Sequence, residues 1–498
     1  MIDAGRLFEG QALSGCAPAG FSGVARDSRS VRAGQAYIAM GRAADLEAHS
    51  AQATAAGAGV IVSERAPATP TAVLLTPHAR WSFARASAAA HGIDRDCPPL
   101  LGVTGTKGKS TTVHCAWWAL GKGAARVGTI GWHDGANERP NKQTTPPPEE
   151  LHSFLRGLSP GCQGVALEVS SHGADQQRLA GLQLRALAYT GLGHDHLDYH
   201  GSLASYLTAK LKAMRSLEPG GTCIVNVDDA TGYVAVHAAR AAGARVVSLS
   251  FSATMGAARQ RAHLDARIVR TPSGYRLVVS GVDHPLPSPL PGDFNAWNAA
   301  AGALMANAAG VPLSTALARL ADMPAVPGRM ELLAYRPTTY VDYAHTPESI
   351  ASVIAAARFA HPGKRLGIVF GCGGDRDRSK RGPMGAAAAQ ADVMVITTDN
   401  SRSEAPAAIV DDIVSGVPAS AVVLRDPGGL AKDPDPRGRI ATVELDRGEA
   451  IRLARRLVGP DGVVVVAGKG HETTQDIQGT VTPWDDRSFV ARQGHEPA

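Results

Sequence analysis

No stretch of this 498-residue sequence is apolar for long enough to span a bilayer. Its first residues, MIDAGRLFEG, lack the basic-then-apolar pattern of a secretory leader. Membrane insertion and export are therefore not expected, and the cytoplasm is the expected compartment. Cysteine is scarce: the six residues (16, 97, 115, 162, 223 and 372) are scattered, with no CxxC pair. That spacing offers neither a zinc ribbon nor a disulfide framework, so reduced and mostly buried thiols are expected. Basic blocks are also missing. Lysine and arginine number 50 against 45 aspartates and glutamates, a formal charge of +5. Nucleic acid is thus not the expected partner. There is no internal repeat and no low-complexity tail.

What is present is globular: 44% hydrophobic and 19% charged residues. The length suggests about three domains. Residues 1–96 alternate short apolar strands, such as QAYIAM and GVIVSE, with alanine-rich helical stretches. Residues 97–328 hold further strands at GVALEVS and GTCIVNV and end near MPAVPGRME, where Pro324, Pro327 and Gly328 mark a linker and a candidate hinge. Residues 329–498 repeat the strand-then-helix rhythm in RLGIVFGCGG, ADVMVITTDN and GVVVVAGKG. Near-continuous apolar strands favour an α/β fold with parallel sheets covered by helices.

The stretch LLGVTGTKGKSTTVHCAWWAL carries a glycine turn between an apolar run and a helical pattern. Val113, Ala116, Trp117 and Leu120 fall on one helix face, and Gly121 is a plausible stop. A strand-to-helix turn of this kind presents free N–H groups and a positive helix end to a phosphate. Gly105, Thr106, Lys107 and Gly108 would form the cradle, Lys109 would reach terminal phosphates, and Ser110 or Thr111 would offer a hydroxyl to Mg²⁺. The common form of the motif has glycine where Val103 stands, so a turn without a ligand is the competing reading.

Glu168 closes the strand in LEVSSHG, a position suited to hold Mg²⁺, or simply to face solvent. GHDHLDYHG is dense in His194, Asp195, His196, Asp198 and His200. It misses the HxHxDH pattern of dinuclear zinc hydrolases by the one residue Tyr199. Lys210 follows on a helical stretch, where a lone lysine is ordinarily solvated.

In order along the chain come GVTGTKGKSTT, QTTP, LEVSSHGADQQR, HDHLDYHG, TAK, GDFNAWN, VPGRME, VDYAHTPE, GCGGDRDRSKRGPMG, TDNSR and GKGHE. Together they resemble the Mur ligases, and most of all the type that adds the third residue of the peptidoglycan stem peptide. The likeness runs from about Asp27 to Glu472. It implies three domains: an N-terminal uridine-binding α/β domain, a central ATPase-type parallel sheet and a C-terminal Rossmann-like domain. In that family the phosphate loop is short, and Gly105, Gly108, Lys109, Ser110 and Thr111 match it without a glycine at position 103. The resemblance implies an ATP-dependent amide ligase working through an acyl phosphate, in the cytoplasm, as a monomer, on UDP-MurNAc-dipeptide and a diamino acid. It implies Mg²⁺ held by Ser110, Glu168, His196 and a carbamylated Lys210, the last converted from a cation to a carboxylate-like partner. Asn295, Asn298, Asp342 and His345 would line the nucleotide pocket. Ser28, Thr144, Thr145, Ser170, Gln176 and Arg178 would hold the nucleotide-sugar substrate. Arg376, Asp399, Asn400, Ser401, Arg402, Gly468 and Glu472 would read the incoming amino acid. An arginine can pair a distal carboxylate bidentately, which favours diaminopimelate over lysine. EVSSHG with its following Gln-x-Arg, together with DNSR, disfavours folylpolyglutamate synthetases.

Four departures cluster at substrate recognition. Ser401 stands where the family has proline, and Gln143 where it has asparagine. Arg42, Ala43 and Ala44 replace a His-Gln-Ala-like stretch, and Gly191 and His194 replace asparagine and arginine. They leave open a paralogue that activates a different carboxylate. A ligase that had decayed into a nucleotide-binding scaffold would be expected to lose Lys109, Glu168, His196 and Lys210 first.

Overall fold

The computed structural model describes residues 2–8, 14–15, 18–93, 96–141, 143–251, 265–419, 422–424 and 439–493; Cys16 lies outside them. Two compact units divide the chain: Met1–Leu286 with Asn298–Leu320, and Pro287–Trp297 with Ala321–Ala498. The first unit holds two principal sheets and the second holds one, so each of the three sequence regions contributes a sheet. Among the described residues no helix is long and apolar enough to cross a membrane.

The smaller sheet of the first unit runs in the order Ser14–Gly15, Val73–Leu75, Val60–Ser63, Ala36–Ile38, Val24–Ala25, parallel except at the first pair. The larger sheet has eleven strands. Its parallel centre places Leu100–Thr104 between Val165–Glu168 and Leu184–Tyr189, with Glu168 opposite Val103 and Tyr189 opposite Thr104. Three strand ends therefore open side by side, where ligands gather in parallel sheets. The sheet continues as an antiparallel ladder through Ala266–Thr271, Gly274–Val279 and Val282–Leu286.

In the second unit seven strands run in the order Glu331–Tyr335, Thr338–Asp342, Val463–Ala467, Leu366–Phe370, Val393–Ile396, Ile440–Val443, Val422–Leu424, with only the first pair antiparallel. The central run VVVVA is wholly buried because both sheet faces are covered. Val463, Val465 and Ala467 enter one hydrophobic cluster, while Val464 and Val466 enter another. Each such side chain stabilises by about 1.5–3 kcal/mol. Gly328, the expected hinge, adopts φ +63° and packs directly on the backbone of Gly470 and His471.

The helix after the glycine turn, Lys109–Leu120, departs from the one-faced expectation. Ser110 to Ala116 are all buried, as are Ala119 and Leu120. Strands cover one side, and the helix Leu313–Leu320 covers another. Arg319 donates to the carbonyls of Ala119 (2.8 Å) and Leu120 (2.6 Å), satisfying the helix end at Gly121. His114 lies inside this packing with neither ring nitrogen hydrogen-bonded among the described residues, and burial pushes its pKa down to about 3. The unfolded ring takes up a proton near pH 6.5, well before the folded one. Stability is thus complete above that pH and falls by about 1.4 kcal/mol per pH unit below it, until the folded ring titrates. His114→Leu leaves no orphaned partner. It is expected to keep or raise the thermal midpoint at neutral pH and to flatten its acid decline, as scanning calorimetry at about pH 7.5 and 5 would read.

Candidate active site

The loop Gly105–Gly108 is shaped by two glycines that cannot be replaced. Gly105 has φ +145°, and a Cβ there would collide with Thr190 Oγ1; Gly108 has φ +80°, and its Cβ would lie 2.7 Å from Asn298 Oδ1. Val103, by contrast, is an interior residue of the preceding strand and is fully buried. The loop is braced from the neighbouring strand end: Thr190 Oγ1 donates to the Lys107 carbonyl (2.6 Å), and Thr106 N–H donates to the Gly191 carbonyl (2.9 Å). Helix Lys109–Leu120 starts directly behind Gly108. Ser110 and Thr111 sit in its first turn, where N–H groups have no intrahelical acceptor.

Two lysines from distant segments meet at one carbonyl. Lys109 Nζ donates to Gly105 O (3.0 Å) and Thr106 O (2.9 Å), and Lys210 Nζ donates to the same Gly105 O (2.7 Å). Lys210 is not a solvated helical lysine: it is 1% exposed, and its ammonium lies 4.2 Å from the Tyr206 ring centre. Burial, then the charge of Lys109, holds its pKa well below the usual lysine range. Glu168 is likewise buried, not solvent-facing. Its carboxylate accepts from Thr129 N–H (2.7 Å) and Thr129 Oγ1 (3.2 Å). His196 has a left-handed backbone (φ +52°), and its ring centre lies 5.0 Å from that of His172. Desolvation first, then His172, Lys109 and Lys210 hold its pKa near 4 against the pull of Asp195, so the ring is neutral at neutral pH. His200 is engaged with Ser171 (3.0 Å), and among the described residues no three His, Cys, Asp or Glu side chains converge as a metal site.

The threonine pair and Arg178 form one network. Thr129 Oγ1 bonds Thr144 Oγ1 (3.0 Å). Thr145 Oγ1 donates to Glu168 O (2.7 Å) and accepts from Ser170 N–H (2.9 Å). Arg178 donates to Gln176 Oε1 (2.8 Å), Gln143 Oε1 (2.6 Å) and the Thr145 carbonyl. Ser28 stays within the N-terminal sheet region, donating to Gln52 Oε1 (2.7 Å). Asn298 accepts from Thr112 Oγ1 (3.0 Å) beneath the loop, whereas Asn295, three residues earlier on the same helix, donates to Pro291 O (2.8 Å).

In the second unit the strand ends assemble another pocket. Gly373 is flanked by both arginines: a Cβ there would lie 2.9 Å from the Arg402 guanidinium and 3.7 Å from Arg376 Cγ. Arg402 has φ +50° and donates to Gly374 O (2.5 Å). Asp399 borders Gly468, and Asn400 donates to Glu472 Oε2 (2.9 Å). Asp342 ties its own turn to an earlier segment: its oxygens accept from Ala344 and Met330 N–H, both at 2.7 Å, and burial raises its pKa. His345 packs edge-on to Tyr343 (4.7 Å), which also carries Arg329 over its face (4.6 Å).

Residues 103–306 match the Mur ligase middle domain, and residues 328–470 match the Mur ligase glutamate ligase domain. A protein of Alkalilimnicola ehrlichii named UDP-N-acetylmuramoyl-L-alanyl-D-glutamate--2,6-diaminopimelate ligase is 38% identical, covering 94% of each chain. The protein of that name from Brucella melitensis is 35% identical, over 94% of this chain and 93% of its own. A solved structure of a ligase with the same name superposes with a TM-score of 0.66 at 30% identity, over 96% of both chains. The chain belongs to the Mur ligase family.

Three of its departures now have physical reasons. In this Mur ligase a side chain at Gly191 would come within 2.5 Å of Asp229 Oδ2, which also accepts from Leu192 N–H. Gln143 is long enough to reach Arg178. Ser401 is 1% exposed, and its Oγ accepts from Gln478 N–H (3.1 Å), tying the loop to the hairpin Thr474–Ile477/Thr480–Pro483. Arg42, Ala43 and Ala44 are exposed, and nothing in the structure explains them. Thr129, Thr190 and Tyr206 carried no motif signal; only strand register and packing bring them to the loop.

Proposed function

We propose that this Mur ligase joins meso-diaminopimelate to UDP-MurNAc-L-Ala-D-Glu in peptidoglycan precursor synthesis, in the cytoplasm. A substrate carboxylate oxygen attacks the γ-phosphorus of ATP, and ADP leaves. The amine then attacks the acyl carbon of the acyl phosphate, loses a proton, and expels inorganic phosphate as the amide forms. Positioning and charge neutralisation dominate such chemistry. Lys109 neutralises the terminal phosphates, and the first-turn N–H groups donate hydrogen bonds to their oxygens.

Mg²⁺ suits the oxygen donors proposed to hold it. Ser110 would offer a hydroxyl and Glu168 a buried carboxylate, with the neutral imidazole of His196 as a weaker nitrogen donor. The ion would screen the charge on the transferring phosphoryl group. Lys210 does not suit a cation as an ammonium. As the uncharged amine its burial favours, it can add CO₂ and release a proton, giving an anionic carbamate that suits one well.

The observation that carries the choice of amino acid is the Arg402 guanidinium at Gly373, with Asp399 bordering Gly468 and Asn400 bonded to Glu472. Such a pocket suits a side chain bearing both an ammonium and a carboxylate. Purified protein with ATP, Mg²⁺ and UDP-MurNAc-L-Ala-D-Glu is expected to release phosphate and form the tripeptide product with diaminopimelate, and far less with lysine or ornithine. No product with any of the three would overturn the assignment. The exposed Arg42–Ala44 segment favours a second reading, the same chemistry on another carboxylate, which that null result would promote. Arg402→Ala is expected to raise the KM for diaminopimelate about 10- to 100-fold, the worth of a charged hydrogen bond. The KM for ATP should stay within about twofold; equal effects on both would contradict this placement of Arg402.

A further inference from the structure

Lys469 has no part in the chemistry above, yet it sits at the centre of the second pocket. The turn after Val463–Ala467 folds its side chain completely inside, at 0% exposed. Its Nζ lies 3.1 Å from Asn400 Oδ1, 3.1 Å from Glu472 Oε2 and 3.8 Å from Asp399 Oδ1. Asn400 in turn donates to Glu472 (2.9 Å) and accepts from Asp476 N–H (3.0 Å). One buried ammonium thus organises three of the side chains proposed to face the incoming amino acid. A lysine held away from water must be paired, and its pairing fixes the rotamers of its partners.

We propose that Lys469 is a positioning residue that sets amino-acid specificity by neutralising one of the two carboxylates Asp399 and Glu472. The inference rests on reading the Gly373 pocket as the amino-acid site. With Lys469 present, its ammonium satisfies Glu472 at 3.1 Å and lies 3.8 Å from Asp399, so the two carboxylates offer a substrate one net negative charge. A substrate side chain ending in an ammonium and a carboxylate can pair its ammonium there and its carboxylate with Arg402, which lies at Gly373. One ending in an ammonium alone leaves Arg402 unpaired. Removing Lys469 frees a second carboxylate and shifts the preference towards the more cationic side chain. A unit charge lost from beside these carboxylates, at an effective dielectric of about 20, changes such a preference at least about tenfold.

The test compares wild type, Lys469→Met and Lys469→Arg. Steady-state constants for ATP, diaminopimelate and lysine are read by phosphate release and product mass. Lys469→Met is expected to raise the KM for diaminopimelate and to lower the diaminopimelate-to-lysine ratio of kcat/KM at least about tenfold, with the KM for ATP within about twofold. Lys469→Arg, which keeps the charge, is expected to restore most of the ratio. An unchanged ratio in Lys469→Met, or equal losses for ATP and both amino acids, would overturn the proposal. Should the methionine variant fail to fold, Lys469→Arg decides: a ratio shifted as far as for a charge loss would also overturn it. Wild type that uses neither amino acid would instead sink the proposed function, so the two failures are distinguishable.

Discussion

Lys210→Met is expected to lower kcat about a thousandfold while leaving the fold as stable as before or slightly more so. The two halves of this result have separate causes. In the fold, the Lys210 amine gives one hydrogen bond to Gly105 O, which Lys109 also serves. Methionine fills a similar volume against Tyr206, so no void opens. Removing a buried amine that burial and a neighbouring cation already disfavour relieves strain on the charged state. In the proposed reaction, the same substitution would delete the amine that carbamylation needs to make this position anionic. ADP binding by calorimetry should change little, because Lys109 and the loop N–H groups remain. Wild type equilibrated with isotopically labelled bicarbonate should show a carbamate carbon by NMR that Lys210→Met lacks. A variant with wild-type turnover would show that Lys210 only packs.

Lys109→Ala is expected to abolish ATP-dependent phosphate release, a loss of about a thousandfold or more. The side chain is pre-positioned, held by Gly105 O and Thr106 O at the start of the helix. On the proposed role of the loop, a charge held there would meet the terminal phosphates at little cost in ordering, which makes it worth more than a mobile surface lysine. Unlike Lys210→Met, this change should also weaken ATP and ADP binding, since the proposed contact is made in the ground state and strengthens in the transition state. The thermal midpoint should move by only a few degrees, because the helix is buried all round by other residues. Unchanged turnover in Lys109→Ala would mean that the glycine turn binds no triphosphate.

Much of this site was legible because its parts are local. Gly105, Gly108 and Lys109 lie within five residues, and a strand-to-helix turn needs no distant partner to present its amides. Glu168 at a strand end was legible from the apolar run before it. Its burial was not, because that depends on Thr129 and Gly128 on the adjacent strand. Lys210 reads in isolation as an ordinary helical lysine; only the packing of helix Leu203–Leu211 under the loop removes it from water. The helix Lys109–Leu120 read as one-faced because Ser110, Thr111, Thr112 and His114 are polar. The structure buries them all, since a second helix closes the far side. The antiparallel ladder Ala266–Leu286 was missed because its strands are half exposed and interrupted by charged residues.

By itself the sequence determined the fold class, the strand-then-helix rhythm of its principal regions and the glycine turn, because each depends on spacing along the chain: apolar runs, glycine positions, a lysine one residue past a turn. Tertiary structure decided the charges that matter. Whether Lys210 is an ammonium or an amine, whether His196 is neutral, and whether Lys469 cancels a carboxylate all depend on water removed and on neighbours brought from elsewhere in the chain. Electrostatic energies scale with distance and local dielectric, and neither is written in residue order.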